Sequence, residues 1–283
     1  MVTEKMINIS AFIIARNEEK NIEKTINCLI KQILPFREII IINDGSTDNT
    51  RELVESYSDY LEYVELINLP YHEQSYAGSL ELGHSINMGL KRIKEHGVPD
   101  YILQSGADHK YDYDYTHKII KRIQETKCVI ASGTFEGAKL NIDTPLGSGK
   151  IINANFFNEV NNMVYPEKYG YESWIDYRAM KEGLKVKRFD DIITGIRPIE
   201  MNKIKAFNWG RCTYALGGIL PFALIRSNTF KEYKIDYLKG YFSRKGVQIH
   251  EDIFDYVGSI QWGRSKKQVY SILKRWLNIK DVY

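Results

Sequence analysis

The sequence predicts an α/β fold, a mostly parallel sheet covered by helices on both faces, and three observations carry that expectation. Apolar runs alternate with helix-period segments between residues 7 and 104, which is the βαβα order of a parallel sheet. Those runs are continuous rather than alternating, as in strands buried on both faces. Polar clusters follow the first, second and fourth runs, and right-handed crossovers bring such strand ends to one edge of a sheet.

Residues 7–15 (INISAFIIA) are apolar and rich in β-branched side chains, and read as the first strand. Ile22, Ile26, Leu29, Ile30 and Ile33 then recur at helical spacing. Asn17 or a neighbour is placed to cap that helix, with Glu18 and Glu19 near its positive end. Pro35 ends it. Residues 38–42 (EIIII) form a second strand, followed by the turn cluster Asn43-Asp44-Gly45-Ser46. Ser46, Thr47 and Asp48 signal the next helix start. Residues 63–67 read as a third strand, 83–96 as a helix, and 101–104 as a fourth strand ending at Ser105-Gly106.

Beyond Lys127 the pattern changes. Residues 129–132 and 186–189 read as strands, 143–150 (DTPLGSGK) as a Gly-rich loop, and 151–164 as a helical stretch, with another helix from about Glu172. The last 80 or so residues read as helical, basic and aromatic-rich. The expected division is a catalytic unit over residues 1–200 and a mainly helical C-terminal extension over 201–283.

Composition narrows the function classes. Of the 283 residues, 43% are hydrophobic and 27% charged, which excludes wholesale disorder. Cys28, Cys128 and Cys212 are too few and too scattered for a disulfide scaffold or a zinc ribbon. Residues 1–5 lack the basic region and cleavage site of a signal peptide. No stretch approaches the roughly 20 apolar residues that span a bilayer. A cytoplasmic protein is the expectation.

The net charge of +3 conceals a split. From residue 201 onward 15 Lys+Arg stand against 6 Asp+Glu, a balance of +9, and the preceding part carries 24 against 30, a balance of −6.

In an open parallel sheet, ligands bind beyond the carboxyl ends of the strands. Three loops therefore carry the candidate chemistry: Ala15-Arg16-Asn17-Glu18, Asn43-Asp44-Gly45-Ser46, and Ser105-Gly106-Ala107-Asp108-His109. Neither the dinucleotide fingerprint nor a P-loop is present. Each cluster alone is compatible with a plain turn or cap. Their order at successive strand ends is what singles them out.

The stretches FIIARNEEKNIEKTINCLIKQ and EIIIINDGSTDNT resemble the opening of family 2 glycosyltransferases, over roughly residues 7–191. The resemblance implies a GT-A-like fold and an inverting transfer of sugar from a nucleotide-sugar donor to a hydroxyl acceptor, either a glycan or a lipid-linked one. It implies that Ala15, Arg16 and Glu18 line the nucleoside pocket with Gly106 and Ala107, and that Asp44 hydrogen-bonds the base. Asp108 falls where the family binds Mg²⁺ or Mn²⁺. A hard cation suits carboxylate and phosphate oxygens, and one or two protein carboxylates suffice when substrate phosphates supply the rest.

Gly106 replaces the first acid of that motif, with His109 or Asp112 as substitutes. The segment Tyr169-Gly170-Tyr171-Glu172-Ser173-Trp174 resembles the acidic segment before the acceptor-site helix. A serine stands where the family has its general base, and Ser173 cannot serve as one. Glu172 is the first candidate and Asp176, one turn on, the second. Trp174 is an acceptor-site candidate or a core residue. The Gly147-Ser148-Gly149 loop is placed to close over the donor.

Two other functions stay open on the substitutions at Gly106 and Ser173 and on the sheet pattern: a non-catalytic sugar-nucleotide-binding module and a sugar-phosphate nucleotidyltransferase. In the tail, Arg211, Arg226, Arg244, Lys245, Arg264, Lys266, Lys267, Lys274 and Arg275 are interleaved with Trp209, Phe222, Tyr241, Trp262 and Trp276. The charges are dispersed and no nucleic-acid motif accompanies them, so no nucleic-acid partner is expected. Peripheral contact at the inner face of the membrane and a packed helical lid are the two readings of the tail. Residues 209–226 also resemble the region after the catalytic domain in some archaeal members of the family.

Overall fold

The computed structural model describes residues 6–73, 76–136, 144–196 and 200–276, except for the side chains of 196 and 267–276. Residues 1–5, Asp143 of the Gly-rich loop, and the side chains of Lys267, Lys274, Arg275 and Trp276 lie outside the described residues. Two units emerge from the backbone. The first comprises Met1–Ser75, Glu81–Glu167 and Glu182–Ile199, the second Tyr76–Leu80, Lys168–Lys181 and Glu200–Tyr283.

The first unit is built on the strands β1 (Ile9–Ala15), β2 (Glu38–Asn43), β3 (Val64–Asn68), β4 (Tyr101–Gly106), β5 (His109–Lys110), β6 (Cys128–Phe135), β7 (Lys150–Asn153) and β8 (Lys185–Ile196). Their order is β3-β2-β1-β4-β7-β6-β8-β5. The pairs β1–β2, β1–β4, β2–β3 and β6–β8 are parallel, while β7 runs antiparallel to β4 and β6, and β5 to β8. The mostly parallel expectation therefore holds. Its physical basis is the run of β-branched residues: Ile9, Ile13, Ile39, Ile40, Ile41 and Ile42 are fully buried, each worth about 2 kcal/mol in apolar transfer.

Helices α1 (Ile22–Ile30), α2 (Thr50–Ser58), α3 (Leu80–Glu95), α4 (Tyr115–Thr126) and α5 (Ala154–Asn161) accompany the sheet. Ile22, Ile26 and Leu29 of α1 and Ile119, Ile120 and Ile123 of α4 join Ile13, Ile41 and Leu103 in one core. Phe12 and Ile42 point to the opposite face, because strand side chains alternate. There α3 lies so close that a Cβ on Gly89 would stand 2.6 Å from Ile42 Cδ1.

Two local expectations are corrected, and one helix is added. Residues 150–153 form β7 rather than the start of a helix: Ile151 and Ile152 are β-branched and pair with Leu103, Ile102, Ala131 and Ile130. The helix begins only at Ala154, where the Asn153 side chain accepts a bond from the Phe156 amide, 2.9 Å away. Asn17 does not cap α1, whose N-cap is Asn21. Helix α4 went unpredicted although its buried residues Tyr115, Ile119, Ile120 and Ile123 have helical spacing.

The second unit is helical among its described residues: α6 (Tyr171–Lys181), α7 (Lys203–Ala215), α8 (Leu220–Ser227), a 3-10 segment (Asn228–Tyr233), α9 (Lys234–Phe242) and α10 (Phe254–Trp276). Ala206, Ala223, Phe230, Tyr237 and Tyr241 form its core. Helices α7 and α9 meet through glycines. A Cβ on Gly210 would stand 2.0 Å from the Tyr237 carbonyl oxygen, and one on Gly240 would stand 1.9 Å from that of Phe207. No helix among the described residues is long and apolar enough to cross a membrane.

Candidate active site

The register of the first unit aligns the ends of three neighbouring strands, pairing Ala15 with Asn43 and Ile14 with Gly106. The loops after β1, β2 and β4 therefore emerge side by side. The first two are tied together through several bonds. The Asn17 amide donates to Ser46 Oγ (3.0 Å), the Thr47 amide to Asn17 Oδ1 (2.8 Å), and the Glu18 amide to Thr50 Oγ1 (2.8 Å). Asn17 takes a positive φ of 53°, a region asparagine tolerates better than most residues.

Glu19 and Asp48 exchange helix ends. Glu19 Oε2 accepts from the Asn49 amide at the start of α2, and Asp48 Oδ2 from the Glu19 amide. Partial burial pulls the Asp48 carboxyl upward. The bonds from the Thr50 hydroxyl and amide and the Glu19 amide outweigh it and hold its pKa below the ordinary value.

Asp44 is fully buried. Its amide donates to the Ala15 carbonyl at 2.8 Å, so the Ala15 backbone oxygen is used within the sheet edge. Ser85 Oγ donates to Asp44 Oδ1, and His72 Nε2 lies 3.1 Å from the same oxygen. Asp44 Oδ2 accepts no hydrogen bond and has Arg16 Nη1 at 3.9 Å. Arg16 Nη1 also donates to the Asp44 carbonyl at 3.0 Å, and Tyr71 presents its ring to the guanidinium at 5.8 Å. Glu18 accepts from Asn21 Nδ2 at 2.8 Å.

Gly106, Ala107 and Asp108 make the turn from β4 into β5. Thr25 Oγ1 of α1 lies 2.7 Å from the Ala107 carbonyl and 2.9 Å from that of His109, and its one proton serves both. The Gly106 amide donates to Ser148 Oγ at 2.6 Å, and Ser148 Oγ bonds His109 Nδ1 at 3.1 Å. A Cβ at Gly106 would stand 3.3 Å from Ser148 Oγ and 3.2 Å from Asp108 Oδ1. The glycine thus makes room for Ser148, in the place where the resembled motif carries its first acid. The Gly147-Ser148-Gly149 loop is pinned to β4 and α4, through the Gly149 amide to the Gln104 carbonyl (2.8 Å) and Tyr115 Oη to the Gly149 carbonyl (2.6 Å).

No cluster of three or more His, Cys, Asp or Glu side chains among the described residues is arranged to hold a metal ion. His109 is buried, and its Nδ1 is engaged with Ser148 Oγ. Asp108, partly exposed in its turn, offers one hard carboxylate. That donor set suits a cation whose remaining ligands are substrate phosphates, not a cage of protein ligands alone.

In the second unit, Glu172 lies in the first turn of α6, half-buried, and Asp176 is buried one turn on. Trp174 is buried and donates from Nε1 to Asp252 Oδ2 at 2.9 Å, where Arg178 Nη1 also binds at 3.2 Å. The neighbouring His250 donates from Nε2 to the Tyr169 carbonyl at 2.9 Å and stacks on Trp174, with ring centroids 6.3 Å apart.

Sequence reasoning overlooked His72, Tyr71 and Ser85. The first two follow the third strand, so the strand-end rule applied to that loop would have found them. Ser85 lies inside a helix and carries no such signal.

Comparison with known proteins completes the picture. Residues 10–174 match the family model described as Glycosyl transferase family 2. An uncharacterized glycosyltransferase of Haemophilus influenzae is 28% identical over 127 residues, 45% of this chain and 36% of that protein. A poly-beta-1,6-N-acetyl-D-glucosamine synthase of Staphylococcus aureus is 27% identical over 121 residues, 43% of this chain and 26% of that protein. The matched part is thus about a third or less of these relatives' lengths.

Among solved structures, S. aureus TarS 1-349 in complex with UDP-GlcNAc has a TM-score of 0.55 at 17% identity, covering 85% of this chain and 74% of that one. The mannosyltransferase PcManGT from Pyrobaculum calidifontis, in complex with GDP-Man and Mn²⁺, has a TM-score of 0.58 at 11% identity, covering 98% and 81%. At these identities the likeness shows the shared GT-A-like fold.

Proposed function

The chain belongs to glycosyl transferase family 2, and from that premise we propose that it transfers a sugar from a nucleoside-diphosphate sugar to a hydroxyl acceptor with inversion. The observation that carries this reading is the convergence of Arg16, Asp44 and Asp108 on three adjacent strand ends. The structures of TarS with UDP-GlcNAc and PcManGT with GDP-Man lend it support on a shared fold.

In this reading Arg16, Glu18 and Asp44 hold the nucleoside, beside Ala15, Gly106 and Ala107. Asp108 would hold Mg²⁺ or Mn²⁺, which would offset the negative charge of the diphosphate leaving group. Glu172 takes the proton of the acceptor hydroxyl, with Asp176 as the second candidate. The acceptor oxygen bonds to the anomeric carbon as the bond from that carbon to the diphosphate oxygen breaks, and the nucleoside diphosphate leaves with the electron pair. Trp174 supports the acceptor side of α6 through its bond to Asp252.

The acceptor is a glycan or a lipid-linked glycan, met at an anionic membrane surface through the second unit. Exposed Ile235 and Phe242 stand seven residues apart on α9, with exposed Lys234 and Lys239 on the same helix. That is the pattern of an interfacial helix.

Turnover of a panel of UDP- and GDP-sugars with and without Mn²⁺, against wild type, Asp108→Ala and Glu172→Gln, tests the reading. Absence of transfer and of nucleotide binding across the panel would sink it. Co-sedimentation with anionic vesicles at low and high salt tests the membrane contact.

A further inference from the structure

The groups assigned above to the nucleoside already hold a planar heterocycle, and it belongs to the chain itself. His72 Nε2 lies 3.1 Å from Asp44 Oδ1, and both ring nitrogens lie 3.1 Å from Arg16 Nη1. Arg16 Nη2 donates to the His72 carbonyl as well. A single ring tautomer suffices for the bond to Asp44 and for one bond from Arg16. Nε2 carries the proton and donates it to the carboxylate, and Nδ1 accepts from the guanidinium.

A nucleobase imide edge presents the same pair of functions, an N–H donor beside an acceptor. The imidazole therefore makes on Asp44 and Arg16 the bonds that a base edge would make. Accessibility points the same way. The Asp44 carboxylate is completely shielded, while the His72 side chain is 30% exposed. The ring has a path to solvent, and the carboxylate has none while the ring stays. Asp44 Oδ2 is buried and accepts no hydrogen bond. An unsatisfied buried acceptor of this kind is costly, and an incoming N–H donor would relieve it.

We infer that His72 is an internal occupant of the nucleobase seat, which the nucleotide must displace from Asp44 and Arg16 in order to bind. The inference rests on the reading of those two residues as nucleoside ligands and adds a competitor to it. Ser85 keeps its bond to Asp44 Oδ1 throughout, so the carboxylate stays aimed while its ring partner exchanges. The observed affinity is the intrinsic affinity reduced by the fraction of molecules in which His72 has left.

The test is calorimetric titration of UDP and of GDP, without acceptor, into wild type, His72→Ala and His72→Gln. His72→Ala should bind the accepted nucleotide about tenfold more tightly, the worth of one modest charge-assisted hydrogen bond. His72→Gln keeps a donor and an acceptor at the same place and should lie nearer wild type. Nitrogen NMR of the wild-type His72 ring should show Nε2 leaving its hydrogen bond on nucleotide saturation.

Equal or weaker binding by His72→Ala, or an unshifted ring signal at saturation, overturns the inference and leaves the site reading standing. Failure of wild type and both variants to bind either nucleotide overturns the site reading, and the inference with it.

Discussion

The side-chain oxygen of Asn17 accepts the amide proton of Thr47 across 2.8 Å, joining the loops that follow two adjacent parallel strands. Asn17 also sits at a positive φ of 53°. Alanine would lose the bond and suit that backbone poorly. Asn17→Ala should lower stability by about 1–2 kcal/mol in urea denaturation, and weaken nucleotide binding because the neighbouring Arg16 loses its support.

Asp108 and Glu172 separate by their effects. Asp108→Ala should cut turnover by about 10²–10³-fold, the usual scale for a lost electrostatic contact at a reacting centre, and abolish stimulation by Mn²⁺. Glu172→Gln should cut kcat by about 10²–10⁴-fold with donor binding retained. If Asp176→Asn shows the larger loss of kcat, the base is Asp176. Steady-state kinetics with isothermal titration of the donor distinguishes these outcomes.

Gly240 tests the helical unit. Its added Cβ would stand 1.9 Å from a backbone oxygen of α7, and backbone cannot swing away as a side chain can. Gly240→Ala should destabilise by about 3 kcal/mol or more through overpacking, whereas Gly246→Ala, with nothing within 4 Å of its Cβ, should cost less despite its positive φ. Thermal melts of both variants check the contrast.

Burial pushes the His250 imidazole down from 6.5 to about 4, the bond to the Tyr169 carbonyl opposing it. The folded chain therefore keeps His250 neutral where the unfolded chain protonates it. Between these values the unfolded state binds more protons, so stability falls as pH drops from 6.5 towards 4 and is unaffected above 6.5. The full loss from this group is about 3 kcal/mol. Denaturation midpoints across that range should show the slope, and His250→Gln should flatten it.

Much of the fold was legible because β1, β2 and β4 are continuous apolar strands with polar stops. The sequence also carried the positions of Arg16, Asp44 and Asp108, since the first two follow such a strand directly and the third lies two residues beyond one. What escaped it was short or non-local. β7 has four residues and β5 two, so neither length nor period marks them, and each exists only through pairing with distant strands.

Local pattern, then, determined the sheet, the strand-end loops and the helical character of the C-terminal part, because hydrophobic period and turn chemistry act over a few residues. Tertiary structure alone decided the use of those residues. Asn17 became a tie between loops rather than a cap. Ser148, 42 residues from Gly106, took the space beside it. His72, 28 residues from Asp44, came to rest on its carboxylate. Such contacts join residues far apart in the chain, and only the folded backbone brings their hydrogen-bonding groups within 3 Å or so of one another.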